Sequence, residues 1–133
     1  MQRRRHRVGY IAIAMILMSI DTSAAQTSDI GYPSVAAALS AMKSKPGASV
    51  SNDDGWTVVE DRQNLALWSF TPQGHAAHPS AVRRKITQKG DDIFVEMAVR
   101  CEAAKPACDK LTAEFAQLTE QMRQDLSPNS RRR

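Results

Sequence analysis

Ile93-Phe94-Val95-Glu96-Met97-Ala98-Val99-Arg100 is the stretch on which the fold turns. Ile93, Val95, Met97 and Val99 alternate with Phe94, Glu96, Ala98 and Arg100, so a period of two puts a wholly apolar row on one side and a mixed row on the other. That pattern predicts an antiparallel strand in a sheet with one face packed on helices. Just upstream, Val82 to Gln88 is a second strand, and Lys89-Gly90-Asp91-Asp92 between them is hairpin-turn chemistry. Downstream, Ala104, Cys108, Leu111, Phe115, Leu118 and Met122 step by alternating fours and threes, the apolar stripe of an amphipathic helix over 104–125. Pro106 suits its first turn, where a missing N–H costs nothing.

Working towards the N-terminus, Ala48–Ser51, Trp56–Glu60 and Leu65–Thr71 are shorter strands divided by Asn52-Asp53-Asp54-Gly55 and by Asp61–Asn64. In the third, Ala66, Trp68 and Phe70 share one face, and Leu65 and Leu67 the other. Val35, Ala38, Leu39 and Met42 recur at helical spacing, which predicts a helix over 33–45 that Pro33 opens and Pro46-Gly47 stops. The fold class is therefore α+β: an N-terminal helix, an antiparallel meander of four or five strands, and a long C-terminal helix packed on one sheet face. At 133 residues there is room for one such domain, placed at 26–127, behind a polar leader from Gln26 to Ile30 and ahead of a disordered basic tail at 128–133.

Residues 1–25 read differently. Arg3, Arg4, Arg5 and Arg7 precede an apolar run from Val8 to Ile20, and Ser23-Ala24-Ala25 closes it with small residues. This is the layout of a secretory signal peptide, with cleavage near Ala25. Thirteen residues of apolar run fall short of the ~20 that cross a bilayer, so no membrane span is expected after cleavage, and the mature protein is expected in the periplasm or the medium. The charge follows the same division. The whole chain has 18 basic and 14 acidic residues, a net +4. Residues 1–25 hold four arginines and one aspartate, and Arg131–Arg133 hold three more positives, which leaves −2 on residues 26–127. A nucleic-acid partner is not expected, because phosphate binding needs positive charge gathered on a folded face.

Cys101 extends the apolar row of the last strand and Cys108 lies on the helix stripe, so the two periodicities bring both to one seam. In an exported chain with two cysteines a disulfide is the default. It closes a loop of about eight residues, worth roughly 2–3 kcal/mol by chain entropy. Six residues separate the pair, which rules out a redox-active C-x-x-C.

His75-Ala76-Ala77-His78 is the one constellation with metal-ligand character, since histidines three apart share a helix face. Pro72, Gly74 and Pro79 around it disfavour a helix, and an ordinary surface loop is the preferred reading. No G-x-S-x-G elbow or phosphate-cradling glycine loop is present, and Asp53-Asp54 and Asp91-Asp92 sit in turns. No catalytic function and no cofactor is expected. Arg83-Arg84-Lys85 alternates between faces and reads as a charged edge or solvent face. Trp56, Trp68, Phe70 and His75 are the candidate binding surface, weighed against a place for the aromatics in the core.

Gly31-Tyr32-Pro33-Ser34-Val35, Gly55-Trp56-Thr57-Val58-Val59 and Leu67-Trp68-Ser69-Phe70-Thr71-Pro72, with Gly74-His75 and the cysteine pair, resemble a group of small exported proteobacterial proteins of unassigned function. Some of these carry the label molecular chaperone. The resemblance spans about residues 31–123 and implies export and a shared fold. An aromatic often stands in that group where this chain has His78, and no active site is implied. The expected function is a non-enzymatic periplasmic binding or interaction module, its partner an unidentified envelope protein. The alternative is a carrier for a small apolar ligand or metal held near Trp56, Trp68 and Met97.

Overall fold

The structure, a computed structural model, describes residues 29–128. The export signal expected at 1–25 and the tail beyond Pro128 lie outside the described residues. Within them the order is α1 (Val35–Lys43), β1 (Ser49–Asp53), β2 (Trp56–Asp61), a 3-10 turn (Arg62–Asn64), β3 (Ala66–Phe70), β4 (Ser80–Lys89), β5 (Asp92–Cys101) and α2 (Lys105–Leu126). The five strands form an antiparallel meander in chain order, and the fold is α+β.

α1 begins two residues after Pro33. Ser34 takes the N-cap in extended geometry, its hydroxyl accepting from the Ala37 N–H at 3.0 Å. The Val35 N–H donates to the Glu102 carboxylate at 3.1 Å, so an anion from the far end of the chain sits at the positive pole of this helix. The end of the leader is anchored at Ile30. Ile30 is fully buried and its carbonyl accepts from Arg83 at 3.2 Å.

Register decides which side chains share a face. Val59 pairs with Trp68, Trp68 with Arg83 and Arg83 with Ala98, so these four stand on one side. α1 packs there: Val35, Ala38 and Met42 join Val59, Trp68, Phe70, Ala81 and Ala98 in one core. The neighbours along each strand point the other way. Val82, Val99 and Cys101 meet Cys108, Leu111 and Phe115 of α2 in a second core, with Trp56 and Met97 partly buried against it. The two helices therefore lie on opposite faces of the sheet. The expectation of a single helix-covered face is corrected by β5 itself, since its mixed row contains Ala98, small enough for α1 to cover. That row runs out to Phe94, which is 43% exposed.

β4 is an interior strand between β3 and β5, so Arg83-Arg84-Lys85 does not guard an edge. The expected alternation holds. The Arg83 guanidinium lies over Trp68 at 5.9 Å on the α1 side, and that of Arg84 over Phe115 at 5.4 Å on the α2 side. Burial lowers the pKa of Arg84 from its ordinary value. Cys101 and Cys108 are joined in a disulfide, Cα to Cα 5.7 Å, which fastens the end of β5 to the first turns of α2.

Asp61 ends β2 and is buried. It accepts from both the backbone and the side chain of Asn64, at 3.3 and 2.8 Å, and from Lys45. Burial pushes its carboxyl pKa up, but the hydrogen bonds from Asn64 and Lys45 outweigh this and hold it below the usual value.

Candidate functional site

The four residues expected to form a binding surface do not come together. Trp68 and Phe70 are buried at 3% and 2% exposure, their rings stacked 6.0 Å apart in the α1-side core. The small Ala81 opposite Phe70 leaves room for the pair. Trp56 stands on the other face, its ring 5.2 Å from that of His75 and 5.6 Å from that of Phe115. The aromatics are core, divided by the sheet. The alternative carrier site near Trp56, Trp68 and Met97 fails for the same reason, because Trp68 is on the opposite side from the other two.

The 72–80 segment is built from two successive turns, His75 N–H to Pro72 O at 3.3 Å and His78 N–H to His75 O at 2.9 Å. Its histidines are used to hold it. His75 Nδ1 accepts from the Ala77 N–H at 3.0 Å, and His78 Nδ1 lies 3.1 Å from the carbonyl oxygen and 3.2 Å from the hydroxyl of Thr71. Thr71 Oγ1 in turn accepts from the Ser80 N–H at 2.9 Å, and the Ser80 hydroxyl donates to Ala77 O. Each histidine thus has only Nε2 left for a metal, and no group of three or more His, Cys, Asp or Glu side chains suited to a metal occurs among the described residues.

The feature with binding character lies elsewhere, at the C-terminal end of α2. The stripe of α2 is buried at Cys108, Leu111 and Phe115, but Leu118 is 45% exposed. One turn further, Met122 lines a groove of about 510 Å³ with Leu65, Leu67 and Ile86. Glu60 and Arg62 stand at its rim, paired with each other at 3.0 Å. Across the helix turn, Glu120 and Arg123 are paired at 2.6 Å, and the bonds from Arg123 and Gln124 hold the Glu120 carboxyl down to about 2.

Comparison with protein-family models, curated proteins and solved structures yields no match.

The groove's geometry therefore carries the functional reading alone. Leu65 is its most telling residue. It closes the 3-10 turn in the left-handed region, at φ 51°, with its side chain 58% exposed. Its backbone is fully employed, the N–H donating to Arg62 O at 3.3 Å and the carbonyl accepting from Ile86 at 2.9 Å. Glycine meets those backbone demands without the left-handed cost of roughly 1–2 kcal/mol that a Cβ brings. A leucine held there, strained and half in water, presents its side chain to the groove rather than to the core. Sequence reasoning missed it because Leu65 reads as the first residue of a strand. The one signal in the sequence was the α2 stripe, which continues past the point where a five-stranded sheet can cover it.

Proposed function

We propose that this chain is an exported, non-catalytic interaction module that holds an apolar segment of an envelope protein in the groove between α2 and β3–β4. The observation that carries this reading is Leu65, apolar, exposed and in a left-handed conformation, beside an apolar groove that Leu67, Ile86 and Met122 complete. Its volume is within the ~300–1,000 Å³ of ordinary ligand pockets. The charges that line it are already paired, Glu60 with Arg62 and Asp61 with Lys45, which matches an occupant recognised by apolar side chains rather than by charge. A shallow apolar groove that grips without reacting suits a holding role for other envelope proteins.

Selection of phage-displayed peptides on the wild-type domain, with counter-selection on Leu65→Asp, tests the groove. The expected result is a set of peptides with two or more large apolar residues, whose binding falls at least about tenfold, or ~1.4 kcal/mol, in Leu65→Asp and Met122→Asp at unchanged helix content. Peptides that bind wild type and variants alike sink the idea. Laurate binding that depends on Leu65, with no peptides selected, replaces it with the apolar-ligand carrier.

Export is supported by the layout of residues 1–25 and by the disulfide, which belongs to oxidising compartments. No described helix is long and apolar enough to cross a membrane. Expression of the full chain in a Gram-negative host should give a periplasmic product beginning at Gln26 with no free thiols. A cytosolic product that keeps residues 1–25 and reacts with thiol reagents contradicts the proposal.

A further inference from the structure

The α1 side of the sheet carries a second cavity, of about 290 Å³, whose chemistry differs from that of the groove. Tyr32, Met42 and Trp68 supply apolar and aromatic walls, and Lys45, Arg83 and Lys85 bring three cations against the single carboxylate of Asp61. Lys45 is taken up by Asp61. The other two are not neutralised.

Arg83 and Lys85 are two residues apart on β4 and so point to the same face, with alpha carbons roughly 7 Å apart. Of the five N–H donors of an arginine, one on Arg83 meets a protein acceptor, the Ile30 carbonyl at 3.2 Å. Its Nε is buried and has no partner among the described residues. Lys85 stands across from Glu96 on β5 but forms no ion pair among the described residues. The Arg83 guanidinium already lies over the Trp68 ring, and the Tyr32 ring meets that of Trp68 edge-on at 5.8 Å. Two unneutralised cations beside aromatic walls, in a cavity partly shielded from solvent, attract an anion more strongly than the same charges on an open surface.

We propose that this cavity binds a small organic anion, a carboxylate or phosphate group on an apolar or aromatic body. Arg83 and Lys85 hold the oxyanion, and the body lies against Trp68, Tyr32 and Met42. The site faces α1, whereas Leu67 and Ile86 face the other way; the two cavities share Asp61 and Ala66 in their lining, but neither Arg83 nor Lys85 lines the groove.

Trp68 is the natural reporter, and Trp56→Phe leaves it as the only tryptophan among the described residues. Titration of that protein with benzoate, phenyl phosphate and neutral benzamide, by Trp68 fluorescence and calorimetry, tests the proposal. The expected result is saturable binding of at least one anion with a Kd near or below ~1 mM and benzamide at least about tenfold weaker. Salt should weaken the anion alone. Benzoate alone marks a carboxylate ligand, phenyl phosphate alone a phosphate ester, and both together a general oxyanion site. Lys85→Met, at a residue with no ion pair to lose, should keep the circular dichroism spectrum and weaken the anion about tenfold. Three results overturn the proposal: neither anion binding below ~10 mM, benzamide binding equally well, or Lys85→Met leaving anion affinity unchanged.

Discussion

Trp68→Ala is expected to remove about 3–5 kcal/mol of stability, the usual range for truncating a buried aromatic. Trp68 is 3% exposed and touches three layers of the α1-side core: Phe70 stacked beside it, Tyr32 edge-on at 5.8 Å and the Arg83 guanidinium above. Neighbours on a strand cannot close the hole, because their positions are fixed by backbone pairing on both sides, to Val59 and Arg83. In a domain of this size each kcal/mol moves the melting temperature by roughly 4–8 °C, so the variant should melt at least ~12 °C lower. Trp56→Ala is the control. Trp56 is only partly buried, at the margin of the α2-side core, and should cost about half as much. Urea unfolding followed by circular dichroism measures both. A loss below about 1 kcal/mol for Trp68→Ala contradicts the core assignment.

The second large effect concerns the buried charge. Lys45→Met leaves the Asp61 carboxylate, 4% exposed, with Asn64 alone. Removing one member of a buried pair typically costs 3–5 kcal/mol, and the partial exposure of Lys45, 24%, places this case nearer 2–3 kcal/mol at pH 7. The pH dependence gives it a signature. In the wild type the folded-state pKa of Asp61 is depressed, so its contribution is present above the unfolded value and is lost as pH falls through the folded one. Without Lys45 only the Asn64 hydrogen bonds oppose burial, and the carboxyl pKa rises from its wild-type position. The wild type should lose this advantage over the variant as pH falls and the carboxyl protonates. Denaturant titrations at pH 7 and pH 3 should therefore show the gap between variant and wild type closing to within about 1 kcal/mol in acid. An equal gap at both values shows that the lysine stem, not its charge, supports the site.

The alternation of β5 and the stripe of α2 were legible because each is a long run of one period, and the cysteine seam followed from their intersection. The side of the sheet that each helix takes was not. It depends on whether Val58 or Val59 pairs with Trp68, and that is set by the length and geometry of the Arg62–Leu65 turn. One residue of slip puts Trp68 on the α2 side with Trp56 and assembles the aromatic surface that the sequence suggested. The composition of Arg83-Arg84-Lys85 showed the charge but not that β4 is an interior strand, where arginines must lie over rings instead of in water. Leu65 was hidden by its own type. A leucine beside Ala66 and Leu67 signals strand, and only the backbone shows that it bends the left-handed way.

The bond from Val35 to Glu102 spans 67 positions, and it orders events in time as well as space. The chain emerges from its N-terminus, so α1 is made early and is the first element across any membrane. Its docking face, however, consists of β2–β5, and its terminal anion arrives only with the residue after the disulfide cysteine of β5. The sheet can assemble strand by strand from adjacent hairpins, but Ala98 and the Glu102 carboxylate complete the surroundings of Val35, Ala38 and Met42 only when the last strand is in place. α1 is thus the first element synthesised yet waits for a residue just past the last strand, and a chain stalled before Glu102 leaves the leading N–H of that helix without its anion.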